Sequence, residues 1–414
     1  MRKAIDYVPR RAAGLVFEAL VDTRVVVVNG ARQVGKSTLA EVVLRQTTNG
    51  TARYLDDPVT RAAAAEDPIR FVRHDGLMLI DEVQRVPELW LAIKHLVDRD
   101  PRPGRFLLTG SARLRSLPDA LPGRSETIEL WPLSRGEIDS EPDGFVDAAF
   151  ASGADLRAAP GHLRRKDYLA RVARGGYPEA VHRETTRRRE RFFESYLADL
   201  MARDVHQVAD IERAADMRRL ISILAAQTGG LLNANRIAGQ LGLSAPTVRR
   251  YIEILETVYL VRLIPAWSAN ATTRAIAIPK LIFIDTGLAH YLTTGVATDA
   301  PVGGLIENFV LSEVARQLTW SRIPARLYHY RDQNEVDGVI EDNSGQIIGI
   351  EAKASETVRA DDFRGLKLLQ RRLDGKFRAG FVLYCGPESL SFGDGLACLP
   401  ISALWSTPDL PAAP

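Results

Sequence analysis

The chain has 414 residues, of which 46% are hydrophobic and 26% charged, with 54 basic residues against 52 acidic ones. That length exceeds one ordinary core and argues for two to four domains, and the composition excludes a disordered chain. A net charge of +2 excludes a uniformly basic surface, so any nucleic-acid contact must come from a local patch. The N-terminal stretch MRKAIDYVPRRAAGLVFEAL lacks the apolar run of a signal peptide and no segment is long enough to span a bilayer, so a cytoplasmic protein without a membrane partner is expected. Cys385 and Cys398 are expected to be buried free thiols, with one disulfide as the alternative. The seven histidines are scattered without ligand spacing, and no zinc site is expected.

Residues 24–138 alternate short apolar, β-branched runs with helical stretches, the pattern of a parallel α/β sheet covered on both faces. The first strand, VVVVN (25–29), runs into Gly30-Ala31-Arg32-Gln33-Val34-Gly35-Lys36-Ser37-Thr38, which fits G-x-x-x-x-G-K-[ST] and opens a helix. Glycines let consecutive backbone N–H groups curl around phosphate oxygens, and the helix adds its positive end. Lys36 is expected at the β- and γ-phosphates, and the Ser37 hydroxyl on Mg²⁺. After a second strand, ARYL (52–55), the run LMLID (77–81) buries four apolar residues and delivers Asp81 and Glu82 at its carboxyl end. Ligands bind at that end in open α/β sheets. Asp81 is expected in the Mg²⁺ shell, and Glu82 is expected to polarise the attacking water. The strand RFLLTG (105–110) then brings Thr109 and Ser111 as candidates for sensing the γ-phosphate, with a plain strand exit as the alternative. Arg113 and Arg124, ahead of the strand TIEL (127–130), are candidates for a transition-state arginine, acting in cis or from a neighbouring subunit of a homo-oligomer.

Residues 139–162 are Gly/Pro/Ala-rich and acidic and read as a loose boundary; 163–227 read as basic helices, including an Arg187–Arg191 run. In 233–262 the spacing predicts a helix-turn-helix. Ile237, Ala238 and Leu241 form one face, Gly242 the turn, and Ser244 caps a second helix carrying Val248, Ile252 and Leu255 inward. Thr247, Arg249 and Arg250 are left facing outward, where base or phosphate contacts are made. Packing or subunit contact is the competing use of such a module. The apolar strand KLIFID (280–285) follows. The last segment opens with the helix LIENFVLSEVARQL (305–318) and returns to strands at RLYHY, EVDGVI, QIIGIEAKA and AGFVLYC.

The motifs NGARQVGKST, LIDEVQRVPELW, LLTGSARL, LPGRSETIELWPLS, RGGYPEAV, SYLADLMARDV, KLIFIDTGLAHYL, ENFVLSEV, YRDQNEVDGVI and IEAKAS occur in this order along the chain. In them the sequence resembles a family of prokaryotic AAA-like P-loop ATPases whose C-terminal domain of unknown function has a restriction-endonuclease-like fold. The resemblance implies an ATPase core over 1–138, a helical lid over 139–227, a winged-helix-like module over 228–299 and a nuclease-like domain over 300–414. Glu307, Asp337, Glu351 and Lys353 resemble the PD-(D/E)xK nuclease arrangement, although Glu-Val-Asp337 stands where the pattern has Pro-Asp. Period-two alternation in Ile348–Lys353 sends Glu351 and Lys353 to one face and Ile348 and Ile350 to the other. Carboxylates from two strands could then hold a second Mg²⁺ or Mn²⁺ beside Lys353. A cross-face ion pair and a fold retained for binding are the alternatives. The reading is an ATP- and Mg²⁺-dependent hydrolase acting on nucleic acid, DNA rather than RNA, with Mg²⁺-dependent cleavage as an extension. A nucleotide-controlled switch acting on protein partners is the rival.

Overall fold

The computed structural model describes residues 7–111, 121–159, 161–205, 214–270, 274, 277–294 and 302–408. Contacts divide the chain into two units, one built mainly from Met1–Leu133 and the other mainly from Ser134–Ala202, Ala209–Glu256 and Leu260–Pro414. Among the described residues no helix is long and apolar enough to cross a membrane.

The first unit is a five-stranded parallel sheet in the order β2-β3-β4-β1-β5, comprising β1 (Val25–Gly30), β2 (Thr51–Tyr54), β3 (Met78–Asp81), β4 (Phe106–Gly110) and β5 (Ser125–Leu130). The three central strands are buried along their whole length, as continuous apolar runs require. Helix α1 (Ala12–Asp22) packs on β1 and β5, and α2 (Lys36–Arg45) on β1 and β4. In α2 the buried residues Lys36, Leu39, Ala40 and Val43 recur at helical spacing. Helix α3 (Pro58–Glu66) starts on a Pro at N1 with the Asp57 carboxylate accepting from the Thr60 N–H at 2.8 Å. Helix α4 (Pro68–Phe71) follows it, and α5 (Leu89–Arg99) buries Leu89, Trp90, Ile93 and Val97 against the side chains of Met78, Ile80, Phe106 and Leu108.

In the second unit α6 (Arg135–Asp139) comes first, and α7 (Phe145–Ser152) corrects the expectation that 139–162 is loose throughout. Phe145, Val146, Ala149 and Phe150 are buried, Phe145 edge-on to Phe381, and Asp147 accepts from the Ser321 hydroxyl and the Ile323 N–H. Small and acidic residues gave a linker-like composition to what is a packed element. Helices α8 (Arg165–Arg174), α9 (Pro178–Val181), α10 (Thr186–Asp199) and α11 (Ala214–Ala226) lead to α12 (Ala234–Leu241) and α13 (Ala245–Thr257). Two antiparallel strands, β6 (Val261–Ile264) and β7 (Lys280–Phe283), and α14 (Thr286–Thr293) come next.

Helix α15 (Val302–Gln317) is buried on nearly every side, and each polar residue on it has a partner, as burial demands. Asn308 brackets β7 by accepting from the Phe283 N–H at 2.7 Å and donating to its carbonyl at 2.9 Å. Arg316 donates to the Ile284 carbonyl, and Glu313 accepts from the Arg135 N–H. Beyond it lies a six-stranded sheet ordered β12-β13-β11-β10-β9-β8. It is formed by β8 (Ala325–Arg331), β9 (Glu335–Asp342), β10 (Ile347–Lys353), β11 (Phe377–Tyr384), β12 (Leu390–Ser391) and β13 (Leu396–Pro400). Strands β10, β11 and β13 are parallel, while β8, β9 and β12 run antiparallel to their neighbours. Helix α16 (Arg364–Leu373) makes the β10-to-β11 crossover, and α17 (Ala403–Ser406) closes the described chain. Cys385 and Cys398 are buried and free.

The motifs RGGYPEAV and KLIFIDTGL meet here for a structural reason. The buried Asp285 carboxylate caps α14 through the Leu288 N–H at 2.9 Å and accepts from the Gly176 N–H at 2.6 Å. Gly175 has φ +69°, and a Cβ there would run into that carboxylate.

Candidate nucleotide site and C-terminal acid cluster

The first candidate site lies at the carboxyl end of β1, β4 and β3. Because β4 separates β1 from β3, the residues leaving all three strands converge over it. In the β1–α2 loop, Gln33 at φ 61° and Gly35 at φ 95° turn the backbone into a concave run of N–H groups. Gly30 has its own reason: a Cβ there would collide with the Leu130 carbonyl of β5. Helix α2 begins at Gly35 without a side-chain cap, which leaves its first-turn N–H groups to an anion. Lys36 is buried, and its Nζ donates across the loop to the Gly30 and Ala31 carbonyls at 3.1 and 2.7 Å. Ala31 and Val34 pack inward, while Arg32 is half-buried and Gln33 and Thr38 are exposed.

Asp81 is the hub of the acidic side. Its Oδ1 accepts from the Ser37 hydroxyl at 2.7 Å and from the Thr109 hydroxyl at 2.5 Å. The Thr109 hydroxyl in turn accepts from the Glu82 N–H at 3.1 Å. Glu82 sits at φ 57°, a left-handed conformation unusual for a non-glycine residue, which swings its carboxylate away from Asp81's strand direction. Gln84 Nε2 donates to the Glu82 carboxylate and, at 3.2 Å, to the Ser111 hydroxyl. Lys36, Ser37, Asp81, Glu82, Thr109 and Ser111 are thus brought together. A hydroxyl and a carboxylate oxygen at 2.7 Å form the hard-oxygen donor pair that Mg²⁺ prefers, so the residues fit that ion.

Arg124 is not brought here. It precedes β5, whose Ser125 is level with Val25 at the amino end of β1, the opposite end of the sheet from the loop. Its guanidinium holds Asp98 on α5 and the Pro122 carbonyl. Arg124 is therefore corrected as a cis transition-state arginine: in its own subunit the sheet separates it from the site. Arg113 lies outside the described residues. Sequence reading missed Gln84 and Arg10. Arg10 is buried and ties the loop at the Val34 carbonyl, 2.7 Å, to the β5 exit at the Trp131 carbonyl, 2.6 Å. Gln84 lies inside the motif LIDEVQRVPELW, where only the acids Asp81 and Glu82 were given roles, and Arg10 lies outside the α/β pattern.

In the second unit, α12 and α13 bury Ile237, Ala238, Leu241, Val248, Ile252 and Leu255, and Gly242 stands at the turn with φ 68°. The Ser244 hydroxyl accepts from the Thr247 N–H at 3.2 Å and lies 2.8 Å from the Thr247 hydroxyl, so Thr247 is part of the cap. Arg249 and Arg250 are exposed. Arg249 borders a cavity of about 340 Å³ shared with Asn233, Asn235, Glu253 and Ile278.

The C-terminal acids also converge, around a residue that the sequence reading passed over. Lys280, at the start of β7, has no exposed side-chain surface; its ammonium pairs with Glu307 on α15, with Glu335 at 3.0 Å and with Asp337 at 3.1 Å on β9. Burial alone would lower the lysine pKa, but the three carboxylates outweigh it and hold it above its ordinary value. Asp337 Oδ2 accepts from the Ala352 N–H at 2.9 Å. Glu351 and Lys353 do share a face of β10, and they pair with each other at 2.8 Å. Burial and the nearby Asp337 push the Glu351 carboxyl up to about 8, against the pull of Lys353. Glu307 is pushed well above its ordinary value by burial and by Asp337. His329 is held down at about 4 by burial and by Lys280, and lies 3.0 Å from the Ile278 carbonyl through Nε2. A signal for Lys280 was present: a lysine inside an apolar strand needs buried partners.

Three family models match the chain: an AAA domain over residues 22–139, a domain of unknown function (DUF8612) over 165–299 and a domain of unknown function (DUF4143) over 302–404. Two full-length relatives are the uncharacterized proteins Rv2008c of Mycobacterium tuberculosis and Mb2031c of Mycobacterium bovis. Each is 30% identical over 408 residues, spanning 96% of this chain and 85% of the relative. Among solved structures, the Walker-type ATPase PABY2304 of Pyrococcus abyssi is similar at 15% identity and a TM-score of 0.43, over 69% of this chain and 96% of that one. The RuvB Holliday junction branch migration motor of Thermotoga maritima is similar at 20% identity and a TM-score of 0.30, over 62% of this chain and 90% of that one.

Proposed function

The chain belongs to the same family as these two mycobacterial proteins and carries an AAA-type P-loop ATPase domain, and we propose that it hydrolyses ATP at the Lys36–Asp81–Glu82 site to act on nucleic acid. The observation that carries the hydrolytic part is the meeting of Lys36, Ser37, Asp81, Glu82 and Thr109 at the carboxyl end of three neighbouring strands. Backbone N–H groups of Gly30–Lys36 would cradle the phosphates, with Lys36 Nζ turning from the loop carbonyls to the β- and γ-oxygens. Ser37 and Asp81 would hold Mg²⁺, which supplies charge neutralisation on the phosphate oxygens. Glu82 would take a proton from the attacking water, and Gln84 positions the Glu82 carboxylate by donating to it. Thr109, tied to both Asp81 and the Glu82 backbone, keeps the two acids in register.

The nucleic-acid part of the proposal is supported by α12 and α13 followed by the β6–β7 hairpin, which we read as a winged-helix-like module, and by the exposed pair Arg249 and Arg250 near the start of the second helix. Replacing both arginines with Ala is expected to weaken duplex DNA binding and to lower the slope of log affinity against log salt by about one for each phosphate that is no longer neutralised. Fluorescence anisotropy across a salt series reads both quantities, and an unchanged slope would return the module to a packing role. Cleavage by the C-terminal acids has weaker support, because Glu307 and Asp337 are already engaged by Lys280.

A further inference from the structure

We infer that Lys280 is the resident cation of the C-terminal acid cluster: its ammonium fills the position among Glu307, Glu335 and Asp337 that a divalent metal would take. This goes beyond the ATPase reading and does not depend on it. The three residues bring one carboxylate oxygen each to within 4.8 Å of one another, a spacing that could hold a metal ion. An ammonium has three N–H donors and no acceptor, and here it has three carboxylates around it. Such a buried amine is stabilised only while its partners remain, and the partners only while it does.

Lys280 is also firmly placed. Strand β7 pairs with β6, and its other end is bracketed by both amide atoms of Asn308 on α15, the helix that carries Glu307. Ile282 of β7 packs with Ile264, Leu311 and Leu327. The strand fixes the Lys280 backbone, and because the side chain has no exposed surface the ammonium can leave its three partners only by displacing packed neighbours, so a divalent ion meets a filled site. Lys353 does the same service for Glu351 at 2.8 Å. Four acidic side chains are thus met by two lysines from different strands, and the cluster is held by its own side-chain contacts.

The test is a Mn²⁺ titration of the nucleotide-free full chain, with free Mn²⁺ read by electron paramagnetic resonance. The unmodified chain is expected to show no Mn²⁺ site that depends on Glu307 or Asp337. Lys280→Ala is expected to gain one site per chain, tighter than anything in the parent by about tenfold or more, and to lose it again with Glu307→Gln added. Its thermal midpoint is expected to fall and to recover as Mn²⁺ is added, whereas Lys280→Arg should gain no site. A Mn²⁺ site in the unmodified chain that disappears in Glu307→Gln/Asp337→Asn would overturn the inference. So would a folded Lys280→Ala chain that gains no Mn²⁺ site over the parent. If Lys280→Ala does not fold, the unmodified chain and its Glu307→Gln/Asp337→Asn variant decide between the two outcomes.

Discussion

Glu82→Gln is expected to bind Mg-ATP like the parent while its turnover falls by roughly two orders of magnitude, the size associated with losing a positioned base. The substitution keeps the shape of the side chain and its place at φ 57° between Asp81 and the 3₁₀ turn that follows, so the cradle around Lys36 is untouched. What it removes is the carboxylate that Gln84 now holds. An amide at that position cannot take a proton from water, although its carbonyl oxygen can still accept from Gln84. Nucleotide binding by equilibrium dialysis and phosphate release by a coupled assay separate the two effects. Equal loss of both would place Glu82 in a structural role.

Lys36→Ala is expected to act one step earlier, on binding itself. The motif places this cation at the phosphates, and the structure buries it with its Nζ over the loop mouth. A charge-assisted hydrogen bond contributes about 1.5–3 kcal/mol, so ATP affinity should drop by about 10- to 100-fold when one such bond is removed. Lys36→Met keeps the buried stem and controls for packing. Isothermal titration with a slowly hydrolysed ATP analogue reads the change, and parent-like affinity in both variants would remove the loop from the nucleotide site.

Much of the first unit was legible because its chemistry is local in sequence. The loop, its strand and its helix are contiguous, and the buried run Met78–Asp81 announces both its strand and the acid at its end. Thr109 was legible as the polar residue near the end of the apolar strand Phe106–Gly110, whereas its place beside the end of β1 comes from the parallel pairing of the two strands. The cis reading of Arg124 failed because a sequence shows that an arginine precedes a strand but not which end of the sheet it reaches. Parallel pairing of Val25 with Ser125 puts it at the far end. The buried helix α7 was missed because small residues and Gly/Pro neighbours look alike in a linker and in a tightly packed helix.

The C-terminal set shows the limit more sharply. Alternation in β10 correctly placed Glu351 and Lys353 on one face. The decisive partner, Lys280, comes from a strand 27 residues before Glu307 and 57 before Asp337, and only the folded chain brings them together. Local periodicity carries no information about which distant cation fills an acid cluster. The same holds for Gln84 and Ser111, whose hydrogen bond joins the turn after β3 to the exit of β4.

The most direct measurement is the steady-state rate of phosphate release from Mg-ATP by the purified full chain, with and without single-stranded, duplex and branched DNA. Hydrolysis that at least one of these DNA forms accelerates is expected, with the acceleration reduced when Arg249 and Arg250 are both Ala. A rate that no DNA form changes, in the parent and in that variant alike, would contradict it.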